Sequence, residues 1–226
     1  MPHEGDRCLP LESPGAAFYA CGMGFVDDAP RQHFETTGQW RAWLEQNHAS
    51  FQGIFVVYWR KGTGRPAMSY EEMVEQALCF GWVDSRQEKL DEDRTMLWFT
   101  PRKRGSGWAR PNKERIAKLT AAGLMHAAGQ AAVNAARADG SWTILDSVEN
   151  LEVAPDLREM FTRYPGSAAA FEAFPRSVRR GILEWIAVAK TPATRARRIT
   201  ETAVKAAAGE RANQWTRRSS VAGGTG

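Results

Sequence analysis

Gly53-Ile-Phe-Val-Val-Tyr-Trp59 is the stretch that most restricts what this chain can fold into. Every residue after the glycine is β-branched or aromatic, and Arg60-Lys-Gly-Thr-Gly64 ends the run with turn formers, so it is a strand. Having no polar alternation, it is expected to be buried on both faces and to need cover from two sides. The neighbouring segments supply that cover. Thr36 with Gln39 forms a capping box that opens a helix over Thr37–His48, whose apolar face is Trp40, Trp43 and Leu44. Ser69-Tyr-Glu-Glu72 is a second capping box, followed at helical spacing by Met73, Val74, Ala77 and Leu78 and stopped by Gly81. Trp82 to Lys89 and Thr95 to Thr100 then read as paired strands around an Asp91-Glu-Asp93 turn. The first half is therefore α+β, a small antiparallel sheet of about three strands with flanking helices.

After Pro101 the period changes to that of helices. Pro111–Leu119 and Met125–Ala138 are helical, and Pro155 begins another helix carrying Leu157, Met160, Phe161 and Tyr164. Ser177–Ala189 is strongly amphipathic, and Pro192–Ala208 closes an all-α C-terminal half. The expected organisation is an irregular arm over 1–33, an α+β domain over 34–110, a helical region over 111–209 and a flexible tail over 210–226. The arm is rich in turn formers and allows one short strand near Ala17–Ala20.

Composition excludes several classes. Over 226 residues, 43% hydrophobic and 25% charged content with nine Trp is that of a chain able to bury a core. The apolar runs fall far short of the roughly 20 residues of a spanning helix, so no membrane span is expected. Cys8, Cys21 and Cys79 are odd in number and widely spaced, which indicates neither a disulfide framework nor a zinc knuckle. The first residues lack the basic and apolar regions of a signal peptide, and the expected location is cytoplasmic. His3, His33, His48 and His126 have no HxH or HExxH spacing, so neither a metal site nor a cofactor is expected.

The formal charge of +4 conceals an alternation: residues 1–100 carry −6, 101–137 carry +7, 138–175 carry −5 and 176–226 carry +8. Complementary halves docking on each other would produce this pattern, and so would two basic patches converging on an anionic partner.

Several segments occur here in one order: Trp40-Arg-Ala-Trp-Leu44 with Asn47-His48, Tyr70-Glu-Glu72, Ala77-Leu-Cys-Phe-Gly-Trp-Val-Asp-Ser85, Phe99-Thr-Pro-Arg-Lys103, Ser106-Gly-Trp108 and Asn112. Pro155-Asp-Leu157, Ile186-Ala-Val-Ala-Lys190 and Thr194-Arg-Ala-Arg-Arg-Ile199 continue the series. Together they resemble the bacterial YdeI/OmpD-associated family, often labelled bacteriocin-protection proteins, over about residues 34–209. The resemblance implies a role in tolerance to bacteriocins or antimicrobial peptides; it brings no catalytic residue with it.

The residues themselves mark three places for chemistry. Asp84, between Trp82 and Arg86 on a strand, suits general acid or base work if partly desolvated, with Trp82 beside it as a candidate ligand-binding residue, or an ion pair that fixes the sheet to the helices. Pro101 to Arg115 joins six basic residues, two glycines and a tryptophan ahead of a helix. Arg102, Lys103, Ser106, Trp108, Asn112 and Arg115 there could bind phosphate or carboxylate, or form a solvated loop anchored by its Trp. Arg195 and Arg198, three apart on one helix face, could be the other wall of an anion pocket or could pair with the acids of 138–175. Cys79, beside Leu78 and Phe80 at a helix end, reads as a buried structural thiol.

Three function classes follow. The first is a protective or accessory protein that binds an anionic small molecule between the sheet and the helical half. The second is a nucleic-acid-binding protein using both basic blocks, although no helix-turn-helix, zinc-finger or RNP signature is present. The third is an enzyme with Asp84 as acid or base and an arginine-clamped substrate. The acidic stretches 71–93 and 139–159 also admit direct binding of a cationic peptide.

Overall fold

A computed structural model describes residues 29–213. Its centre is β2 (Ile54–Trp59), in which Ile54, Phe55, Val56 and Val57 are all buried. Successive side chains of a strand point to opposite faces. Ile54 and Val56 accordingly join the main core with Trp40, Leu44 and Phe99, while Phe55 and Val57 pack with Ala29 and Met96 on the other side. β4 (Arg94–Pro101) runs antiparallel to β2, and β3 (Trp82–Lys89) runs antiparallel to β4 with a register shift between Asp84 and Gln87. The three antiparallel strands are thus present.

A fourth strand extends the sheet. β1 (Arg31–His33) pairs parallel to β2, giving the order β1-β2-β4-β3 and a mixed sheet. Three residues, Arg-Gln-His, are too few to show a period, and parallel pairing is decided by the neighbour rather than by the strand. The strand considered near Ala17–Ala20 and most of the 210–226 tail lie outside the described residues.

Two helices cover the main core face. α1 (Thr37–Asn47) carries its capping box in full, with Gln39 N–H donating to Thr36 Oγ1 at 3.3 Å and Thr36 N–H to Gln39 Oε1 at 3.3 Å. α2 (Tyr70–Cys79) starts with the Ser69–Glu72 box. Trp40 Nε1 donates to Met73 O at 3.1 Å, satisfying the one polar atom of a fully buried indole and tying α1 to α2. Gly81, at φ +75°, turns the chain from α2 into β3.

The helices that follow are α3 (Arg110–Ala121), α4 (Ala127–Ala138), α5 (Asp146–Glu149), α6 (Pro155–Arg163), α7 (Ser167–Glu172), α8 (Arg176–Ala187) and α9 (Pro192–Ala207). From α5 onward they enclose a second core in which Leu157, Phe171, Ile182, Ile186, Ile199 and Ala203 are buried. The short α5 and α7 have no long apolar period in the sequence. Gly166, at φ +85°, sets the turn into α7.

The close approach of α4 to the end of α2 depends on Gly129. A Cβ there would lie 2.1 Å from Cys79 O, which also accepts the His126 N–H at 3.0 Å. Gly129→Ala is expected to destabilise the protein by about 3 kcal/mol, because the obstacle is backbone and cannot rotate aside. Gly181, inside α8 with open space around its Cβ position, should behave in the opposite sense. Gly181→Ala is expected to stabilise by about 0.5–1 kcal/mol through helix propensity. Urea denaturation of both variants checks the pair.

Candidate functional site

The turn that leaves β4 is built by backbone contacts. Arg102 N–H donates to Gly81 O at 2.9 Å, and Ser106 donates to Lys103 O through both N–H (3.2 Å) and Oγ (2.6 Å). Gly105, at φ +73°, supplies the left-handed residue that closes the turn. Gly107 then lies against Leu145, whose Cγ would be 2.7 Å from any Cβ, and this brings Trp108 beneath the chain at 1% exposure.

Arg102 lies over Trp108. Its Cζ is 3.9 Å from the ring centroid, and it donates to Gly107 O. Trp108 in turn packs on Trp142 at 5.0 Å, and Arg137 and Lys113 stand over Trp142 at 5.1 and 5.5 Å. Burial pushes the Arg102 guanidinium down to about 10, against the opposing pull of the Asp84 charge. Its Nε is buried without a partner, and among the described residues Arg102 makes no ion pair.

Facing this turn is α4. Ala132, Ala135 and Ala136, with Asp139 and Ser141 just beyond the helix, enclose a cavity of about 40 Å³ against Arg102–Ser106 and Trp108. Asp139 accepts the Ser141 N–H at 2.9 Å and Oγ–H at 2.6 Å, and these bonds, with one from the Gly105 N–H, hold its carboxyl below the usual range.

A second polar network lies within reach of the Arg102 charge. The Tyr70 hydroxyl donates to Asp84 Oδ2 at 2.8 Å. Burial, and then the Asp84 hydrogen bond and charge, push this phenol up to about 12 even though Tyr70 is 49% exposed. Arg115 grips Glu71 with two bonds of 2.7 Å and donates a third to Asn112 Oδ1 at 2.7 Å. Asp84 favours the charged form of both Arg102 and Arg115.

The sequence-selected residues therefore fall into groups. Arg102, Lys103, Ser106 and Trp108 line the cavity. Asp84, Asn112 and Arg115 make the adjoining network. Trp82 is a core residue, 1% exposed, with Nε1 donating to His48 O at 3.2 Å. Arg195 and Arg198 are held elsewhere, by partners on α6 and α8. Arg195 binds Asp156 through bonds of 2.7 and 3.0 Å, and Arg198 donates to Trp185 O and lies 4.9 Å from that ring.

Tyr70, Glu71, Arg104, Asp139 and Ser141 complete the two clusters without having been singled out. Arg104 lies inside the basic segment, and Asp139-Gly-Ser141, directly after the Met125–Ala138 helix, carries the signature of an Asx turn, which by itself does not reveal a place in the cavity wall. Tyr70 and Glu71 look like ordinary first-turn residues, and only tertiary contact reveals their partners.

Comparison with known families divides the chain at this point. Residues 150–209 match the family described as Bacteriocin-protection, YdeI or OmpD-Associated. The C-terminal helices resemble a bacteriocin-protection domain. Residues 32–132 match a separate model, Domain of unknown function (DUF8412), so the resemblance expected over 34–209 is met by the bacteriocin-protection family over 150–209 and by this other model in the first half. No curated protein and no solved structure matches the chain. Among the described residues no helix is long and apolar enough to cross a membrane.

Within residues 150–209 basic residues hold helices together. Asp156 is kept below the usual carboxylate range by Arg195, and Glu149, which precedes the domain, is kept low by Arg180. Glu71 is kept low by Arg115 in the same way. A depressed carboxylate contributes stability that is present above its unfolded pKa and lost as pH falls through the folded one. Tyr70 is the reverse case: its contribution is complete below its ordinary value of 10.0 and is lost as pH rises towards about 12. Absorbance titration should show one tyrosine ionising near pH 12 that Tyr70→Phe removes. In Asp84→Asn that phenol should titrate lower yet stay above the ordinary value, because burial is its largest cause.

Proposed function

We propose that this chain is a cytoplasmic protective or accessory protein of the bacteriocin-protection type that works by binding an anionic small molecule. The binding place is the cavity between the Arg102–Ser106 turn and α4, at the junction of the sheet with the helices. The observation that carries this reading is Arg102. A guanidinium taken out of water normally has a carboxylate partner. This one has an aromatic face, one carbonyl and an unpartnered Nε, beside a cavity. An incoming anion would supply the missing acceptor and be favoured by the low local dielectric.

A small ligand fits the arrangement better than a nucleic acid. Phosphate-backbone binding draws on an open row of cations. Here Arg110, Lys113 and Arg115 are turned to Asn150, Asp146 and Glu71, and Arg195 to Asp156. Within residues 102–115, the cations not turned to such a side chain are those of the 102–104 turn.

Thermal-shift and calorimetric titrations with sugar phosphates, nucleotides and acyl carboxylates test the proposal. At least one anion class should raise the melting temperature, and Arg102→Gln should weaken its binding at least tenfold, about 1.4 kcal/mol. Arg198→Gln, remote from the cavity lining, should leave the affinity unchanged. Equal affinity of wild type and Arg102→Gln would contradict the proposal.

A further inference from the structure

The cavity next to α4 is uneven in its charge. Its turn side carries three cationic side chains, Arg102, Lys103 and Arg104, while Asp139 is the one carboxylate in the lining. That carboxylate already accepts two bonds from Ser141. The opposite wall, Ala132, Ala135 and Ala136, presents methyl groups and no side-chain donor. The site thus offers a formal excess of two positive charges, concentrated on one side of a space of about 40 Å³.

Both the charge and the size select among anions. A monocarboxylate would leave one cation uncompensated. A phosphate monoester carries about −1.5 to −2 at pH 7, with a second pKa near 6. The space exceeds the roughly 10–15 Å³ a single water needs but is far below the 300 Å³ or more of a drug-sized pocket. It can take a head group while the rest of the molecule stays outside. Lys103 and Arg104 are exposed on the rim, where long side chains can close over such a group.

We infer that the cavity between the Arg102–Arg104 turn and α4 recognises the dianionic head group of a phosphate monoester. This rests on the anion-binding reading above and narrows it to one chemical class. Arg102 meets the phosphoryl oxygens from the Trp108 face, Lys103 and Arg104 supply the second unit of charge from the rim, and the alanine wall limits the size of the head group. The second ionisation of the ligand is therefore part of recognition.

Isothermal titration of the full chain with methyl phosphate, dimethyl phosphate and acetate separates the possibilities, since dimethyl phosphate keeps the phosphoryl group but holds only one charge. At pH 7.5, methyl phosphate should bind at least tenfold more tightly than either monoanion. At pH 5, where it becomes a monoanion, this advantage should fall to within about threefold. Arg104→Gln, an exposed change that leaves the fold intact by circular dichroism, should weaken methyl phosphate at least threefold and dimethyl phosphate less. Equal affinities for all three probes at pH 7.5, or no change in the ratio at pH 5, would overturn the dianion inference while leaving an anion site in place. No binding of any probe, with none of the larger anions above binding either, would overturn both.

Discussion

The stacking of Arg102 on Trp108 is the interaction around which the two halves of the molecule are arranged. A cation over a tryptophan face is worth about 0.5–2 kcal/mol, more as water is excluded; Trp108 is 1% exposed and Arg102 is partly buried. The stack continues through Trp142 to Arg137 and Lys113, so three cations and two indoles run from the end of the sheet to the first helices. Gly107 allows it, because any side chain there would strike Leu145 of the second core. Lys113–Asp146 and Arg110–Asn150 add polar contacts across the same seam. Lys113 is thus paired with a carboxylate, whereas the charge of Arg102 is held by an aromatic face and a backbone carbonyl.

This arrangement explains what the alternating charge blocks do. Four residues of the two basic blocks pair with the acidic ones: Arg115 with Glu71, Lys113 with Asp146, Arg180 with Glu149 and Arg195 with Asp156. Arg115–Glu71 joins α3 to α2 and Arg195–Asp156 joins α9 to α6, which makes the alternation in part a docking code. The 102–104 turn departs from that code. It retains three cations against one carboxylate that is already satisfied locally, and the only cavity residues with side-chain charge belong to this turn and Asp139.

Much of the architecture was legible in the chain because it depends on neighbours within a few residues. The two capping boxes, the doubly buried strand and the β3–β4 hairpin all follow from local pattern. β1 escaped because three residues have no period, and its parallel pairing belongs to β2 as much as to itself. The site was half legible. A basic, glycine-containing loop with a tryptophan pointed to Arg102, Lys103, Ser106 and Trp108, whereas the cavity wall on α4 comes from small alanines that carry no chemical signal. The partners of Arg115 and Arg195 lie 44 and 39 residues away, and charge pattern alone could not distinguish them from free cations. Trp82 shows the converse: an aromatic beside an acid suggested a ligand face, but its indole is used to fill the core.

The central claim is that Arg102 is a desolvated cation, stacked on Trp108, with an Nε–H available to an anion. Proton–nitrogen NMR of the arginine Nε–H groups observes this atom directly, with Arg102→Lys assigning the signal. The account predicts one Nε–H resonance displaced upfield by the Trp108 ring current, protected from solvent exchange, and moving further on titration with phosphate. A signal at the ordinary arginine position that exchanges freely and ignores phosphate would contradict it.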